Sequence, residues 1–151
     1  MTDVQETGTG QTVMIVEDEA LVAIVLRDVL TEAGYNVLDL VTRQADALKV
    51  VEANKPALAL VNIRLEGRDD GIELAAHLKT LDIPVVFISG QISRARSADT
   101  VAIASMPKPY DAHEMVRAVD YLLARLKGPT SLSRPAKLEV FSEDLGVVPT
   151  A

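Results

Sequence analysis

LALVNIRL, residues 58–65, is a run of eight residues in which only Asn62 and Arg64 are polar. Pro56 precedes it, and Gly67 with Asp69-Asp70-Gly71 follows it, so turn-forming residues bound it on both sides. A segment this short and this continuously apolar fits a strand buried on both faces of a parallel sheet. Asn62 stands where the apolar character gives out. In open parallel α/β sheets, ligands bind outside the carboxyl ends of the strands, where such a side chain projects. Asn62 is therefore either an ordinary turn residue or the centre of a site, and the flanking segments must decide.

Upstream, Val13-Met14-Ile15-Val16 is a second apolar run, and it stops abruptly at Glu17-Asp18-Glu19. Leu21, Ile24, Val25, Val29 and Ala33 then follow helical spacing, with Gly34 as the C-terminal stop. The pattern predicts a strand over 36–41 and a helix over 44–54, the latter with Ala45, Leu48 and Val51 on one face. Downstream, Asp70 and Glu73 have capping-box spacing and open a helix from Gly71 to about Leu81. Residues 83–88 form a fourth strand, with Pro84 near its start, where a missing N–H is tolerated, and Ser89-Gly90 at its end. Residues 91–100 are rich in Ser, Arg and Asp, so any helix there is short. A fifth strand is expected over 101–106, closed by Pro107-Lys108-Pro109. Asp111 and Glu114 repeat the capping-box spacing ahead of an amphipathic helix carrying Met115, Val119, Leu122, Leu123 and Leu126.

Five strands alternating with helices through short connections predict an α/β fold with a doubly wound five-stranded parallel sheet. Its span is 12–127. Residues 1–11 are polar and read as a flexible lead. Residues 128–151, with Pro129, Pro135, Pro149 and several serines, read as a flexible tail whose one sticky patch is Leu138, Val140 and Phe141.

Composition limits what such a domain does. The net charge of −7 disfavours a nucleic-acid backbone binder, and 3% aromatics without tryptophan disfavour a base-stacking platform. No cysteine means no disulfide, thiolate metal site or cysteine nucleophile. No apolar run is long enough to span a bilayer and no signal-peptide pattern opens the chain, so a cytoplasmic protein is the expectation. No glycine-rich phosphate loop follows any strand. His77 and His113 fall on predicted helices without a ligand partner at useful spacing and read as solvated or capping residues.

In the predicted fold the ends of strands one, three, four and five lie side by side. They carry Glu17-Asp18, Asn62, Ser89 and Lys108. Singly, each has a bland reading: an aspartate at a strand end caps helices, an asparagine makes turns, a lysine between prolines is solvated. Together they describe a site. Adjacent carboxylates suit a hard divalent ion such as Mg²⁺, Ser89 offers a hydroxyl, and Lys108 a point charge for an anion beside the metal. That combination points to phosphoryl chemistry.

These residues also carry a resemblance. VMIVEDE at 13–19, the 58–65 run, VFISG at 86–90 and MPKPY at 106–110 resemble, in order, the signature segments of two-component response-regulator receiver domains. The resemblance covers about residues 12–127 and implies a flavodoxin-like receiver fold, a non-enzymatic signalling role in a phosphorelay, and Mg²⁺ at the pocket. It implies that Glu17 and Asp18 are the acidic metal residues and that the backbone carbonyl of Arg64 is a further metal ligand. Residue 62 then stands at the phosphoacceptor position, and Ser89 and Lys108 contact the phosphoryl group. The Lys108-Pro109 bond is implied to be cis. The implied partners are a sensor histidine kinase or phosphotransfer protein and a downstream protein target, with a homodimer left open.

The match breaks at the acceptor. The family has Asp where this chain has Asn62, and a neutral carboxamide is a far poorer nucleophile than a carboxylate. Metal binding should weaken, because the pocket loses a charge while the amide oxygen can still ligate. Three readings stay open. The chain is a stand-alone receiver acting by protein contact without phosphoryl at Asn62, a phosphorylation-independent pseudo-receiver, or an engineered Asp→Asn form of an ordinary receiver. The aromatic switch residue of the family falls near Ser105, so the usual coupling is not expected.

Overall fold

The computed structural model describes residues 10–67 and 69–142. The lead expected over 1–11 lies almost wholly outside the described residues, as does the end of the expected tail, 143–151. In chain order the elements are β1 (Thr12–Val16), α1 (Ala20–Glu32), β2 (Asn36–Val37), α2 (Gln44–Ala53), β3 (Leu58–Asn62) and α3 (Gly71–Thr80). They continue as β4 (Val85–Ser89), α4 (Ile92–Ser97), β5 (Ala104–Pro107), α5 (Ala112–Lys127) and β6 (Glu139–Val140).

The sheet order is β2-β1-β3-β4-β5-β6, and the first five strands are parallel. The chain steps from β1 outward to β2 and then returns across β1 to β3. This reversal opens a crevice at the carboxyl ends of β1 and β3. Strands β3 and β4 are buried at every position, which is why they read as continuous apolar runs. Alternate residues serve opposite layers. Val13, Ile15, Leu58, Leu60, Val86 and Ile88 pack with Leu26 and Leu30 of α1 and Met115, Val119 and Leu122 of α5. Met14, Val16, Ala59, Val61 and Phe87 pack with Ala47 and Val51 of α2, Leu74 and Leu78 of α3, and Ala95 of α4.

The starts of α3 and α5 are capped by the aspartates that the sequence singles out, Asp70 and Asp111. Asp70 Oδ1 accepts from Ile72 N at 2.8 Å, and Asp111 Oδ1 accepts from His113 N and Glu114 N at 2.8 and 3.2 Å. The start of α2 has no local cap and takes one from another loop, Gln44 N donating to Asp69 Oδ2 at 2.7 Å. Glu73 does not complete a capping box in the structure. Its Oε1 accepts from Gln44 Nε2 at 2.9 Å, tying α3 to α2.

Two strands are shorter than predicted. The ladder at β2 covers Asn36–Val37, and pairing resumes only as a single bridge from Val41 to Val16. At β5 the strand begins at Ala104, because Val101 N turns back to Ala98 O at 3.1 Å.

The strand count needs a correction: among the described residues the sheet has six strands, not five. Within the segment read as a tail, Leu138 N closes a turn on Pro135 O at 3.1 Å, and Glu139–Val140 then pairs antiparallel with Ser105 and Ala104. Leu138 is buried against the α1/α5 layer and Phe141 packs on the opposite one. Arg96 of α4 donates from Nε to both carboxylate oxygens of Glu139, at 2.9 and 3.1 Å. The physical reason is the free edge of β5, whose backbone N–H and C=O groups find partners in this segment. No helix among the described residues is long and apolar enough to cross a membrane.

Candidate functional site

The crevice at the ends of β1 and β3 gathers the side chains that the sequence singles out. Asp18, Asn62, Ser89, Lys108 and the Arg64 segment line one cavity of about 420 Å³. Glu17 lies beneath it, 1% exposed. Each is placed by the same local logic: at the carboxyl end of a strand held by the sheet, the last residue (Asn62, Ser89) or the next one or two (Glu17, Asp18, Arg64, Lys108) lie at its edge. The backbone at β3 is fixed further by Gly71, whose N–H donates to Ile63 O at 2.7 Å. A Cβ at Gly71 would lie 2.1 Å from Asn62 O, so only glycine permits this approach of α3 to the strand end.

Lys108 is the cation that pairs with the acidic run at the pocket. Its Nζ lies 3.4 Å from Glu17 Oε1 and 3.3 Å from Glu19 Oε1. The contact to Glu17 is an ion pair without hydrogen-bond alignment, since Glu17 Oε1 is buried with no hydrogen-bond partner among the described residues. The other oxygen, Oε2, accepts from Glu19 N at 3.0 Å. Burial pushes the Glu17 carboxyl above its ordinary range, while the Glu19 N–H and the Lys108 charge pull it back.

Asn62, 5% exposed, makes the most informative contacts of the site. Its Nδ2 donates to Asp18 Oδ1 at 3.2 Å and, in a short contact, to the backbone carbonyl of Arg64. Both neighbours accept only, so the nitrogen and not the oxygen of the amide must face them. Ser89 Oγ accepts from Gln91 N at 2.7 Å, which fixes the turn from β4 into α4. The Lys108-Pro109 peptide is cis, as the resemblance implies. Tyr110 follows it, packed against the α1/α5 layer with its hydroxyl buried and unpartnered among the described residues. Its phenol is pushed up to about 12, first by burial and then by the charges of Glu17 and Glu19.

The structure thus brings together Glu17, Asp18, Asn62, Arg64, Ser89 and Lys108. It adds Glu19, which the sequence places in the acidic run but to which it assigns no role. The signal was present, since Glu19 is the third carboxylate of an acidic run that needs a counter-charge. His113 lies on the surface, 3.8 Å from its neighbour Asp111.

As they stand, these residues do not fit a divalent ion. A hard cation takes about six oxygen donors, one or two of them carboxylates. Here the space between Asp18 and the Arg64 carbonyl receives N–H groups, and Glu17 is matched to Lys108. No group of three or more His, Cys, Asp or Glu among the described residues could hold a metal. Nor does the pocket offer a nucleophile at its centre, where the amide nitrogen is already engaged as a donor.

The family described as "Response regulator receiver domain" matches residues 13–120. The transcriptional regulatory protein PdtaR of Mycobacterium tuberculosis is 29% identical over 124 residues, covering 80% of this chain and 60% of that protein. The phosphate regulon transcriptional regulatory protein PhoB of Pseudomonas aeruginosa is 32% identical over 137 residues, 85% of this chain and 58% of that one. The chain therefore spans about three-fifths of the length of these two relatives. The crystal structure of the receiver domain of NtrX from Brucella abortus superposes with a TM-score of 0.69 at 27% identity, covering 74% of this chain and 98% of that one.

Proposed function

This chain belongs to the response regulator receiver domain family of two-component systems, and on that premise we propose that it is a receiver that takes no phosphoryl group at residue 62 and acts through protein contact. The observation that carries this reading is the state of the Asn62 side chain at the end of β3. It stands where the family resemblance puts the phosphoacceptor, and its amide nitrogen is committed to Asp18 and the Arg64 carbonyl. A carboxamide so held is neither charged nor nucleophilic.

Receiver domains interact with histidine kinases or phosphotransfer proteins, and generally bind Mg²⁺ at the acidic pocket. In the proposed reading Glu17 and Asp18 are the acidic pair of that pocket, with the Arg64 carbonyl beside them. Ser89 and Lys108 are the residues that would meet a phosphoryl group, and Lys108 instead serves Glu17 and Glu19. A kinase or phosphotransfer protein then docks without transferring phosphoryl to residue 62, and the output passes to a protein partner.

The test is a phosphodonor experiment. The chain and its Asn62→Asp variant are incubated with radiolabelled acetyl phosphate and Mg²⁺, and any labelled residue is located by mass spectrometry. The variant should be labelled at residue 62 and the parent chain nowhere. Label on the parent chain at any residue overturns the reading.

A further inference from the structure

We propose that the Asn62 carboxamide is a built-in substitute for the divalent cation of this pocket, so that the two loops a cation would tie together are tied permanently. The inference rests on the reading that residue 62 lies at the receiver pocket. It goes further by assigning the amide a positive task in place of a missing one.

The two acceptors that Asn62 meets belong to different loops. Asp18 follows β1 and Arg64 follows β3, and Asp18 is 44 positions from Asn62 in the chain. A carboxylate oxygen and a carbonyl oxygen facing one point repel unless something positive lies between them. A divalent ion meets that need with its charge, whereas a primary amide meets it with two N–H groups, one for each acceptor. Asn62 does the second, donating to Asp18 Oδ1 and to the Arg64 carbonyl. The backbone that carries the amide is fixed by the close approach of α3, since Gly71 abuts the Asn62 backbone carbonyl closely enough to exclude a Cβ.

The charges agree. Glu17 and Glu19 share Lys108, Asp18 has no ion-pair partner among the described residues, and it is Asp18 that takes the amide hydrogen. An aspartate at position 62 reverses every part of this. It donates nothing when ionised, adds a third carboxylate beside Glu17 and Asp18, and leaves the Arg64 carbonyl facing an anion. Such a pocket needs a cation, whereas the present one does not.

The experiment uses the full chain and reads cation binding with no phosphodonor present, so it fails independently of the labelling assay. Thermal unfolding is followed with and without Mg²⁺, and Mn²⁺ binding by electron paramagnetic resonance. The parent chain should show the same midpoint in both conditions and leave Mn²⁺ free. Asn62→Asp should melt lower without cation and gain about 4 °C when Mg²⁺ is about tenfold above its dissociation constant. Equal Mg²⁺ stabilisation of parent and variant overturns the proposal, as does a folded Asn62→Asp variant that ignores both ions. If the variant does not fold, the parent chain decides alone. Free Mn²⁺ throughout its titration supports the proposal, and bound Mn²⁺ that is lost in Asp18→Asn overturns it.

Discussion

The carboxyl ends of β1 and β3 and the outer edge of β5 are built on opposite terms. At the first, charged and polar groups are drawn out of water: Glu17 is 1% exposed and Asn62 5%, and one oxygen of Glu17 has no hydrogen-bond partner among the described residues. At the second, a segment of ordinary surface composition is held by its backbone pairing with β5 and by apolar packing, with Leu138 the most buried at 3% exposed. Burying a carboxylate costs stability even when it is paired, while burying a leucine contributes about 1.5–3 kcal/mol. The pocket end therefore draws on the stability of the domain, and the β5 edge adds to it. Functional sites are where folds carry such local costs.

This contrast can be broken by experiment, beginning at the edge. Leu138→Ala should lower the unfolding free energy by about 3 kcal/mol, measured by urea denaturation at neutral pH. Truncation after Lys127 should lower it at least as far, whereas the sequence alone leads one to expect that truncation leaves the fold intact. An unchanged denaturation midpoint in both would show that the β5 edge contributes nothing.

At the pocket end the expected effect is smaller and depends on pH. The folded-state pKa of Glu17 is raised above the ordinary 4.5 by burial. The folded chain therefore holds this proton more tightly than the unfolded chain. Below about 4.5 the resulting stabilisation is fully present, and it is lost as pH rises through the folded value. Glu17→Gln, which has nothing to titrate, should flatten that part of the stability–pH curve. Parallel curves for parent and variant would contradict the assignment.

Smallest of all should be Arg96→Ala. Its single Nε–H is shared between the two oxygens of Glu139, and both side chains are exposed, at 64% and 39%, so the loss should be about 0.5 kcal/mol. A loss matching that of Leu138→Ala would mean the ion pair, and not the buried leucine, holds β6 down.

The same contrast explains what the sequence disclosed. Strands β1, β3 and β4 were legible because burial on both faces leaves an unbroken apolar run, and the polar residue ending each run lies over the crevice. Glu17, Asp18, Asn62, Ser89 and Lys108 could therefore be assembled from local signals alone. The neighbours of each group were not local. That Lys108 turns to Glu19 as well as Glu17 depends on how α1 leaves the sheet. That Asn62 reaches the Arg64 carbonyl depends on a loop shaped by Gly71. Strand β6 was hidden for a plainer reason. Two paired residues carry no periodicity, and Leu138, Val140 and Phe141 read only as a sticky patch. Its pairing is a property of the vacant β5 edge, about 35 residues away in the chain.

The direction of β6 has one more consequence. Because it runs against β5, with Phe141 N bonded to Ile103 O at 2.9 Å, the backbone is carried back to the amino-terminal rim of the sheet by residue 141. Ser142 accordingly stands at the opposite pole of the domain from the acidic crevice. A reporter or affinity handle joined there would leave the crevice open to a docking protein.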